Sequence, residues 1–278
     1  MSRPDLNSGS VLRVAIGGLG AIGTAIARAL DSGIPGLELR AVSARDILKA
    51  QERVAELTSK PRIVPLAQLA QLADVVVECA PASVYDEVAH PAIEAGRILV
   101  TMSSGALLSR NDLIERAKRT GARIIVPSGG ILGLDALKAA AEGEIHCVTL
   151  VSRKPPRSLH GAPYLLAHNI SVLDLKTATR VFQGNAREAA LAFPANANVA
   201  ATLSLAGIGA ERTQIEIWAD PDARENIQEV RVKSAAADFE IRLASHPLPD
   251  NPRTGSLTPK SVIATLRSLA SHFTVGTL

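Results

Sequence analysis

The sequence predicts an α/β protein whose first part forms a parallel sheet and whose second part is an α+β domain. The first observation is that, up to about Gly129, short apolar runs alternate with segments of helical spacing, which is typical of βαβ units. The second is that, beyond Gly129, strand-like segments follow one another with little helix between them. This change of pattern indicates a mixed sheet with a helix on one face.

The first part alternates regularly between strand-like runs and helical segments, and this order predicts parallel strands. In chain order, the strand-like runs are VLRVAIG, LELRAVSA, ADVVVECA, RILVTMSSG and ARIIVPSGG, and the helical segments between them are AIGTAIARALDSG, ILKAQERVAELTS, SVYDEVAHPAIEAG and RNDLIERAKRTG.

The second part begins with the helical segment LDALKAAAEG, and we expect one further helix, NVAATLSLAGIG, among its strands. The strand-like segments are HCVTLVSRK, TRVFQG, TQIEIWAD, IQEVRVKSA and DFEIRLAS. A polar, proline-rich loop, PLPDNPRTG, leads into the amphipathic helix TPKSVIATLRSLASHF. We therefore predict a first domain over residues 1–127, a second over 128–255, and a last helix within 256–278 that packs back on the first domain.

Composition excludes several classes of partner. The 30 basic and 27 acidic residues give a net charge of only +3, and aromatic residues make up 3%, so nucleic acid is not an expected partner. No apolar run approaches the roughly 18 residues of a membrane span. Two cysteines in apolar runs fit free thiols and a cytoplasmic location. No histidine or cysteine spacing indicates a metal site.

A glycine-rich loop after the first strand carries the strongest functional signal. Gly18, Gly20 and Gly23 form a G-x-G-x-x-G string that opens the first helix, with Ala21 and Ile22 between the last two glycines. In a βαβ context, this string predicts a Rossmann-type domain that binds a dinucleotide, with the phosphates at the helix N-terminus. The alternative is a glycine-rich turn that binds no ligand.

The end of the second strand bears on the choice between NAD and NADP. An NAD site usually has Asp or Glu about 20 residues beyond the glycines, to bind the ribose hydroxyls. Here the sequence has Ser43 and Arg45, which suit a 2′-phosphate, and we favour NADP with dual use open. The alternative is that Arg45 is solvated and Asp46 binds the ribose.

The carboxyl ends of the next two strands are expected to line the cofactor crevice, because ligands of open parallel sheets bind at that edge. The residues expected there are small: Ala80 and Pro81 after one strand, and Ser104 after the next.

Five segments together resemble the L-aspartate dehydrogenase family over nearly the whole chain. They are PSGGILGLDAL, SRKPP, FPANANVAATLSLAG, DPDARENIQEV and NPRTGSLTPKSVIATLR. The resemblance implies a Rossmann domain with an α+β substrate domain, a homodimer, and NAD(P)-dependent, reversible deamination of L-aspartate to oxaloacetate and ammonia. A small dicarboxylic amino or keto acid is the implied substrate.

The resemblance also implies roles for residues of the second part. Gly130 takes a position near the cofactor where the family usually has an alanine, and Asn198 matches the asparagine that contacts the nicotinamide end. Asn196 and Thr254 are expected to contact the substrate; helix capping is the alternative for the two asparagines. In the family, a catalytic histidine lies in an Asn-x-His segment, where this sequence has Asn226-Ile227-Gln228.

Gln228 therefore takes the predicted catalytic position, although a carboxamide cannot act as a base near neutral pH. Four interpretations remain open. Three are enzymes: an imine reductase or reductive aminase in which Gln228 orients the substrate, a weakened aspartate dehydrogenase, and an enzyme in which another group is the base. The fourth is a cofactor-binding protein with impaired turnover. By residue type, the candidates for that base are His168, His246 and Lys154.

Overall fold

The computed structural model describes residues 11–194, 197–248 and 251–276, without the side chains of 252 and 253. The chain divides into two compact units. The first comprises residues 11–129 together with Thr258–Val275, and the second begins at Gly130 and runs to Leu257.

The first unit is built on a six-stranded parallel sheet in the order β3-β2-β1-β4-β5-β6. The strands are β1 (Leu12–Gly17), β2 (Leu37–Ser43), β3 (Arg62–Ile63), β4 (Val75–Glu78), β5 (Ile98–Thr101) and β6 (Arg123–Ile125). Strands β1, β4 and β5 consist almost entirely of buried Val, Ile, Leu and Ala, as expected for a sheet covered on both faces.

Helices cover this sheet: α1 (Ala21–Asp31), α2 (Ile47–Ala55), α3 (Leu69–Leu72), α4 (Tyr85–Glu94), α5 (Ser104–Leu107), α6 (Asn111–Thr120) and, from the end of the chain, α12 (Leu257–Ala270). Val262 and Leu266 of α12 belong to the same buried cluster as Val14 and Ile16 of β1.

The second unit contains a five-stranded mixed sheet in the order β11-β10-β7-β9-β8 and a two-stranded ladder, β12-β13. The strands are β7 (Ile145–Lys154), β8 (Thr179–Asn185), β9 (Thr213–Ala219), β10 (Asn226–Ser234), β11 (Phe239–Ser245), β12 (Pro247–Leu248) and β13 (Asn251–Gly255). Only β7 and β9 pair in parallel; the other pairs are antiparallel. The predicted fold class is confirmed, including the mixed sheet.

The helices of the second unit are α7 (Leu134–Ala140), α8 (Pro156–Leu159), α9 (Pro163–Ala167), α10 (Ala186–Ala192) and α11 (Ala197–Ala206). Side chains of α10 and α11 pack on the sheet in one cluster, which contains Ala189, Ala200 and Leu203 together with Leu150 and Ile217.

Two expectations about this unit are wrong. The structure has α8, α9 and α10 among the strands in addition to α11. The sequence signal for α10 is a capping box: Asn185 Oδ1 accepts from Glu188 N at 2.9 Å, and the Glu188 carboxylate accepts from Asn185 N at 2.9 Å. The proline-rich segment expected as a loop contributes to the β12–β13 ladder, in which Pro247 pairs with Gly255.

Across the described ranges, no helix combines the length and apolar character needed to cross a membrane.

Candidate functional site

The three glycines of the loop after β1 have two kinds of environment: two are crowded by the protein backbone and one is open. A Cβ atom on Gly18, whose φ is +103°, would lie 2.6 Å from Cys79 O, and one on Gly23 would lie 1.9 Å from Gly18 O. A Cβ on Gly20 would meet nothing within 4 Å. Gly18 and Gly23 therefore allow close packing within the protein, while Gly20 leaves an open face of backbone at the start of α1. Such a face suits a ligand that approaches the backbone closely, as a pyrophosphate does.

The end of β2 lies beside this loop, because Gly18 N donates to Ser43 O at 2.9 Å. Ser43 itself is buried, and Arg45 is exposed. Arg45 forms no ion pair within the part of the chain that the structure describes. The Asp46 carboxylate caps α2, where Oδ1 accepts from Lys49 N at 3.1 Å. The acidic side chain is thus engaged, while the guanidinium is available to a ligand.

Glu78 fixes the segment that follows β5. Its buried carboxylate accepts from Thr101 Oγ1 at 2.8 Å, from Ser103 N at 3.0 Å and from Ser103 Oγ at 3.0 Å. Burial raises the pKa of this carboxyl group, although the hydrogen bonds act in the opposite direction. Ser104, which follows, is buried at the start of α5. Glu78 is a structural residue of this edge that the sequence did not reveal.

Ala80 and Pro81 follow β4, with Ala80 half-buried and Pro81 exposed. The first unit thus places the glycine loop, Ser43 and the segment that follows β4 at the carboxyl ends of neighbouring parallel strands.

In the second unit, three polar side chains occupy one face of the sheet. Ser152 of β7 lies opposite Gln228 of β10 in the antiparallel register, and Lys154 lies two residues beyond Ser152 on the same face. All three are buried, with exposures of 5%, 5% and 7% for Ser152, Gln228 and Lys154. Such residues are uncommon in an apolar core unless they are partnered or functional.

These three side chains line a small cavity between the sheet and the helices, with a volume of about 20 Å³. Its other walls are apolar and include Phe193 and Ala200. Ser152 Oγ and Gln228 Oε1 are buried, and neither has a hydrogen-bond partner among the described residues.

Lys154 also lines a second, larger cleft of about 240 Å³. Arg157, His160 and Asn226 contribute polar groups to that cleft. Lys154 Nζ lies 3.5 Å from Asn226 Oδ1, and within the described ranges no carboxylate reaches ion-pair distance of it. Burial lowers the pKa of the Lys154 amine to about 8. The cleft thus carries the guanidinium of Arg157 and an amine whose pKa of about 8 lies well below that of an exposed lysine.

The two candidate histidines lie elsewhere in this unit. His168 stacks on Tyr164 with ring centroids 4.0 Å apart, and its Nδ1 lies 2.9 Å from Tyr164 O. The His246 side chain is 85% exposed and lies 3.2 Å from Glu225. Neither histidine lines the two cavities that contain Lys154. Of the three candidate bases, the structure brings only Lys154 together with Gln228.

The remaining residues expected in the site have varied surroundings. Asn198 is exposed in the first turn of α11, and Gly130 is half-buried. The Thr254 hydroxyl in β13 accepts from Asn251 Nδ2 at 3.0 Å. Asn196 lies outside the described residues.

Sequence reasoning missed Ser152 and Arg157. Ser152 stands in an alternating strand where an apolar residue would be expected at a core-facing position, so the period-two pattern of HCVTLVSRK was a usable signal. Arg157 has no comparable signal. In the described parts of the chain, no group of three or more His, Cys, Asp or Glu side chains is arranged to bind a metal.

Comparison with known proteins gives matches in both units. A family described as "Homoserine dehydrogenase, NAD binding domain" matches residues 18–127. A family described as "Aspartate dehydrogenase, C-terminal" matches residues 135–269.

Individual proteins match over almost the whole chain. An L-aspartate dehydrogenase of Bradyrhizobium diazoefficiens is 46% identical, with 98% of this chain and 97% of that protein covered. L-Aspartate dehydrogenase 3 of Bordetella bronchiseptica is 44% identical, with coverage of 98% and 100%. The crystal structure of aspartate dehydrogenase from Thermotoga maritima superimposes with a TM-score of 0.70 at 28% identity, covering 95% of this chain and 99% of that one.

Proposed function

The chain belongs to the L-aspartate dehydrogenase family, and on that premise we propose that it catalyses the nicotinamide-dependent, reversible deamination of L-aspartate to oxaloacetate and ammonia. The observation that carries the proposal is the glycine loop. Gly18 and Gly23 have no room for a side chain, whereas Gly20 leaves the backbone open at the N-terminus of an 11-residue helix. This arrangement fits the pyrophosphate of a dinucleotide.

Within this proposal, the first unit is the dinucleotide-binding domain. The loop from Gly18 to Gly23, including Ala21 and Ile22, would hold the pyrophosphate, and the strand ends at Ala80, Pro81 and Ser104 would line the rest of the site. A nicotinamide coenzyme held there would supply the hydride acceptor for the α-carbon of the amino acid. The protein contributes orientation and proton transfer.

We favour NADP over NAD. An exposed Arg45 without an ion pair among the described residues, next to Ser43, supports a site for the 2′-phosphate. The engagement of Asp46 as the α2 cap weighs against its use for the ribose hydroxyls, because its Oδ1 already accepts a backbone hydrogen bond.

The second unit is proposed as the substrate domain. The 240 Å³ cleft is large enough for a four-carbon dicarboxylate, and Arg157 offers a guanidinium for one of its carboxylates. Asn198 and Gly130 are proposed as cofactor contacts, in keeping with the family resemblance, and Thr254 and Asn196 are proposed as substrate contacts.

Gln228 is proposed to orient the reacting groups. Its carboxamide donates and accepts hydrogen bonds but does not exchange protons near neutral pH. The addition of water to the imine, which follows hydride loss, therefore needs a proton acceptor elsewhere in the site.

A coenzyme absorbance assay tests the function. Purified protein with L-aspartate and NADP or NAD should form reduced nicotinamide, and oxaloacetate with ammonia and NADPH should consume it. Two other outcomes would replace the proposal. Activity on preformed imines with little aspartate oxidation would indicate an imine reductase, and coenzyme binding without turnover of any amino or keto acid would indicate a binding protein.

We also propose a homodimer in the cytoplasm. The homodimer follows from the family resemblance, and sedimentation velocity tests it: a single species with the mass of one chain would contradict it. Cys79 and Cys147 are free thiols, which supports a reducing compartment, and cell fractionation tests that location.

A further inference from the structure

Ser152 Oγ and Gln228 Oε1 are two buried polar atoms that find no hydrogen-bond partner among the described residues. They are register partners across β7 and β10, and both side chains face the 20 Å³ cavity. A buried hydroxyl or carbonyl without a hydrogen bond is unfavourable, so two adjacent ones indicate a bound polar species. A cavity of this volume has room for one water molecule, and a stable buried water needs two to four polar partners. Ser152, Gln228 and Lys154 provide three.

Lys154 connects this cavity to the open cleft, because its side chain lines both. It is buried and, among the described residues, forms no ion pair, and the side chains that line the two cavities with it are uncharged or cationic. On β10 these are Asn226 and Gln228; on β9, α10 and α11 they are aliphatic or aromatic; in the cleft they are Arg157 and His160. Among the described residues, the one side-chain acceptor near the amine is Asn226 Oδ1, at 3.5 Å, and burial lowers the pKa of the amine.

We propose that Lys154 is the proton acceptor for the water-addition step of the reaction, and that one ordered water links its amine to Ser152 and Gln228. This inference rests on the proposed function. Burial lowers the pKa of Lys154 to about 8, which leaves roughly a tenth of the amine unprotonated at pH 7. Lys154 can therefore act as the base, which the carboxamide of Gln228 cannot do.

The proton balance is complete without another reactant. Water oxygen bonds to the iminium carbon, the C=N π pair moves to nitrogen, and the water proton passes to Lys154 Nζ. The resulting Lys154 ammonium then protonates the amino nitrogen of the carbinolamine. The C–N bond breaks, and the hydroxyl proton leaves with ammonia as ammonium, so that Lys154 returns as the free amine and the carbonyl product forms.

The test separates hydride loss from water addition. In rapid mixing with aspartate and coenzyme, Lys154→Met and Lys154→Arg should form reduced nicotinamide in the first turnover at close to the wild-type rate. Their steady-state deamination should fall by about 10²–10⁴-fold, the usual loss when a general base is removed. Arginine should not replace lysine, because its guanidinium stays protonated. Lys138→Met, at an exposed site on α7, is the matched control and should behave as wild type.

A merely structural role for Lys154 is excluded by two further readouts. A small primary amine such as methylamine should restore the turnover of Lys154→Ala in proportion to its concentration. In the pH profile of kcat/KM, the wild type should show a limb near pH 8 that Lys154→Arg lacks, while the limb from the amino group of aspartate is common to both proteins.

The possible outcomes separate the role of Lys154, the proposed function and the water link. Wild-type steady-state turnover in Lys154→Met, or no rescue by methylamine, overturns the assignment of Lys154 while the proposed function stands. No first-turnover signal in the wild type overturns the proposed function, and the role of Lys154 with it. A crystal structure of the wild type should show a water within hydrogen-bond distance of Ser152 Oγ and Gln228 Oε1, and a dry cavity overturns the water link.

Discussion

Lys154 Nζ lies 3.5 Å from the Asn226 carboxamide oxygen and, within the described part of the chain, has no carboxylate at ion-pair distance. An amine buried in this way destabilises the folded protein whenever it is protonated. Burial lowers its pKa from 10.5 to about 8, which corresponds to about 3 kcal/mol between the two protonation states.

Lys154→Met should therefore raise the free energy of unfolding at pH 7 by about 1–3 kcal/mol while abolishing most deamination. Between pH 8 and pH 10.5 the unfolded chain binds more protons than the folded one, so wild-type stability should rise with pH there and the difference should shrink. Urea unfolding at pH 7 and pH 10, with Lys138→Met as the control, measures this. A Lys154→Met protein less stable than wild type at pH 7 would contradict it.

Gly20→Ala should weaken coenzyme binding, whereas Gly18→Ala should lower the thermal stability of the protein. A methyl group on Gly20 meets no atom within 4 Å, so the variant should fold with a wild-type melting temperature. It should nevertheless bind coenzyme at least about 10-fold more weakly, because the methyl group occupies the face proposed to receive the pyrophosphate. A methyl group on Gly18 meets Cys79 O and strains a φ of +103°, so that variant should melt at a lower temperature. Thermal unfolding and calorimetric titration with NADPH distinguish the two variants. Tight coenzyme binding by Gly20→Ala would contradict the proposal that the pyrophosphate binds at the open backbone of Gly20.

Arg45→Ala should weaken NADP binding by about 10–100-fold, the range expected for losing a hydrogen bond to a charged group, and should leave NAD binding unchanged. Arg40→Ala is the matched control, because it removes an exposed arginine from β2 whose partner is Glu38. Fluorescence titration with both reduced coenzymes provides the measurement. An equal loss for NAD and NADP would mean that Arg45 does not bind the 2′-phosphate.

Arg157→Met should raise KM for aspartate by about 10-fold or more with a smaller change in kcat, because the guanidinium is proposed to bind a carboxylate equally in substrate and transition state. Arg187→Met on α10, where the native arginine pairs with Glu211, should leave KM unchanged. Steady-state kinetics decides this, and an unaltered KM in Arg157→Met would remove the cleft as the carboxylate site.

Gln228→His should restore part of the turnover that Lys154→Met loses. The two side chains line the same small cavity, and an imidazole titrates close to neutral pH. Steady-state deamination by the double variant should exceed that of Lys154→Met by about 10-fold or more. A double variant no faster than Lys154→Met would show that position 228 does not reach the reacting water.

The sequence by itself determined the fold class, and it predicted the glycine loop as the dinucleotide site. Alternating strands and helices, and glycines at a G-x-G-x-x-G spacing, express local backbone requirements that the residues carry with them. The NAD-binding match over residues 18–127 and the parallel sheet agree with that reading. The family segments likewise predicted the relationship to L-aspartate dehydrogenases.

Only the tertiary structure decided which polar residues share a site. The strand β7, which carries Ser152 and Lys154, lies more than seventy residues before β10, which carries Gln228. The register of β7 against β10 brings the three side chains together. The sequence made His168, His246 and Lys154 equal candidates by residue type, whereas burial and position separate them: His246 is exposed, His168 stacks on Tyr164, and Lys154 faces the cavity. A pKa depends on burial and neighbours, and these exist only once the chain has folded.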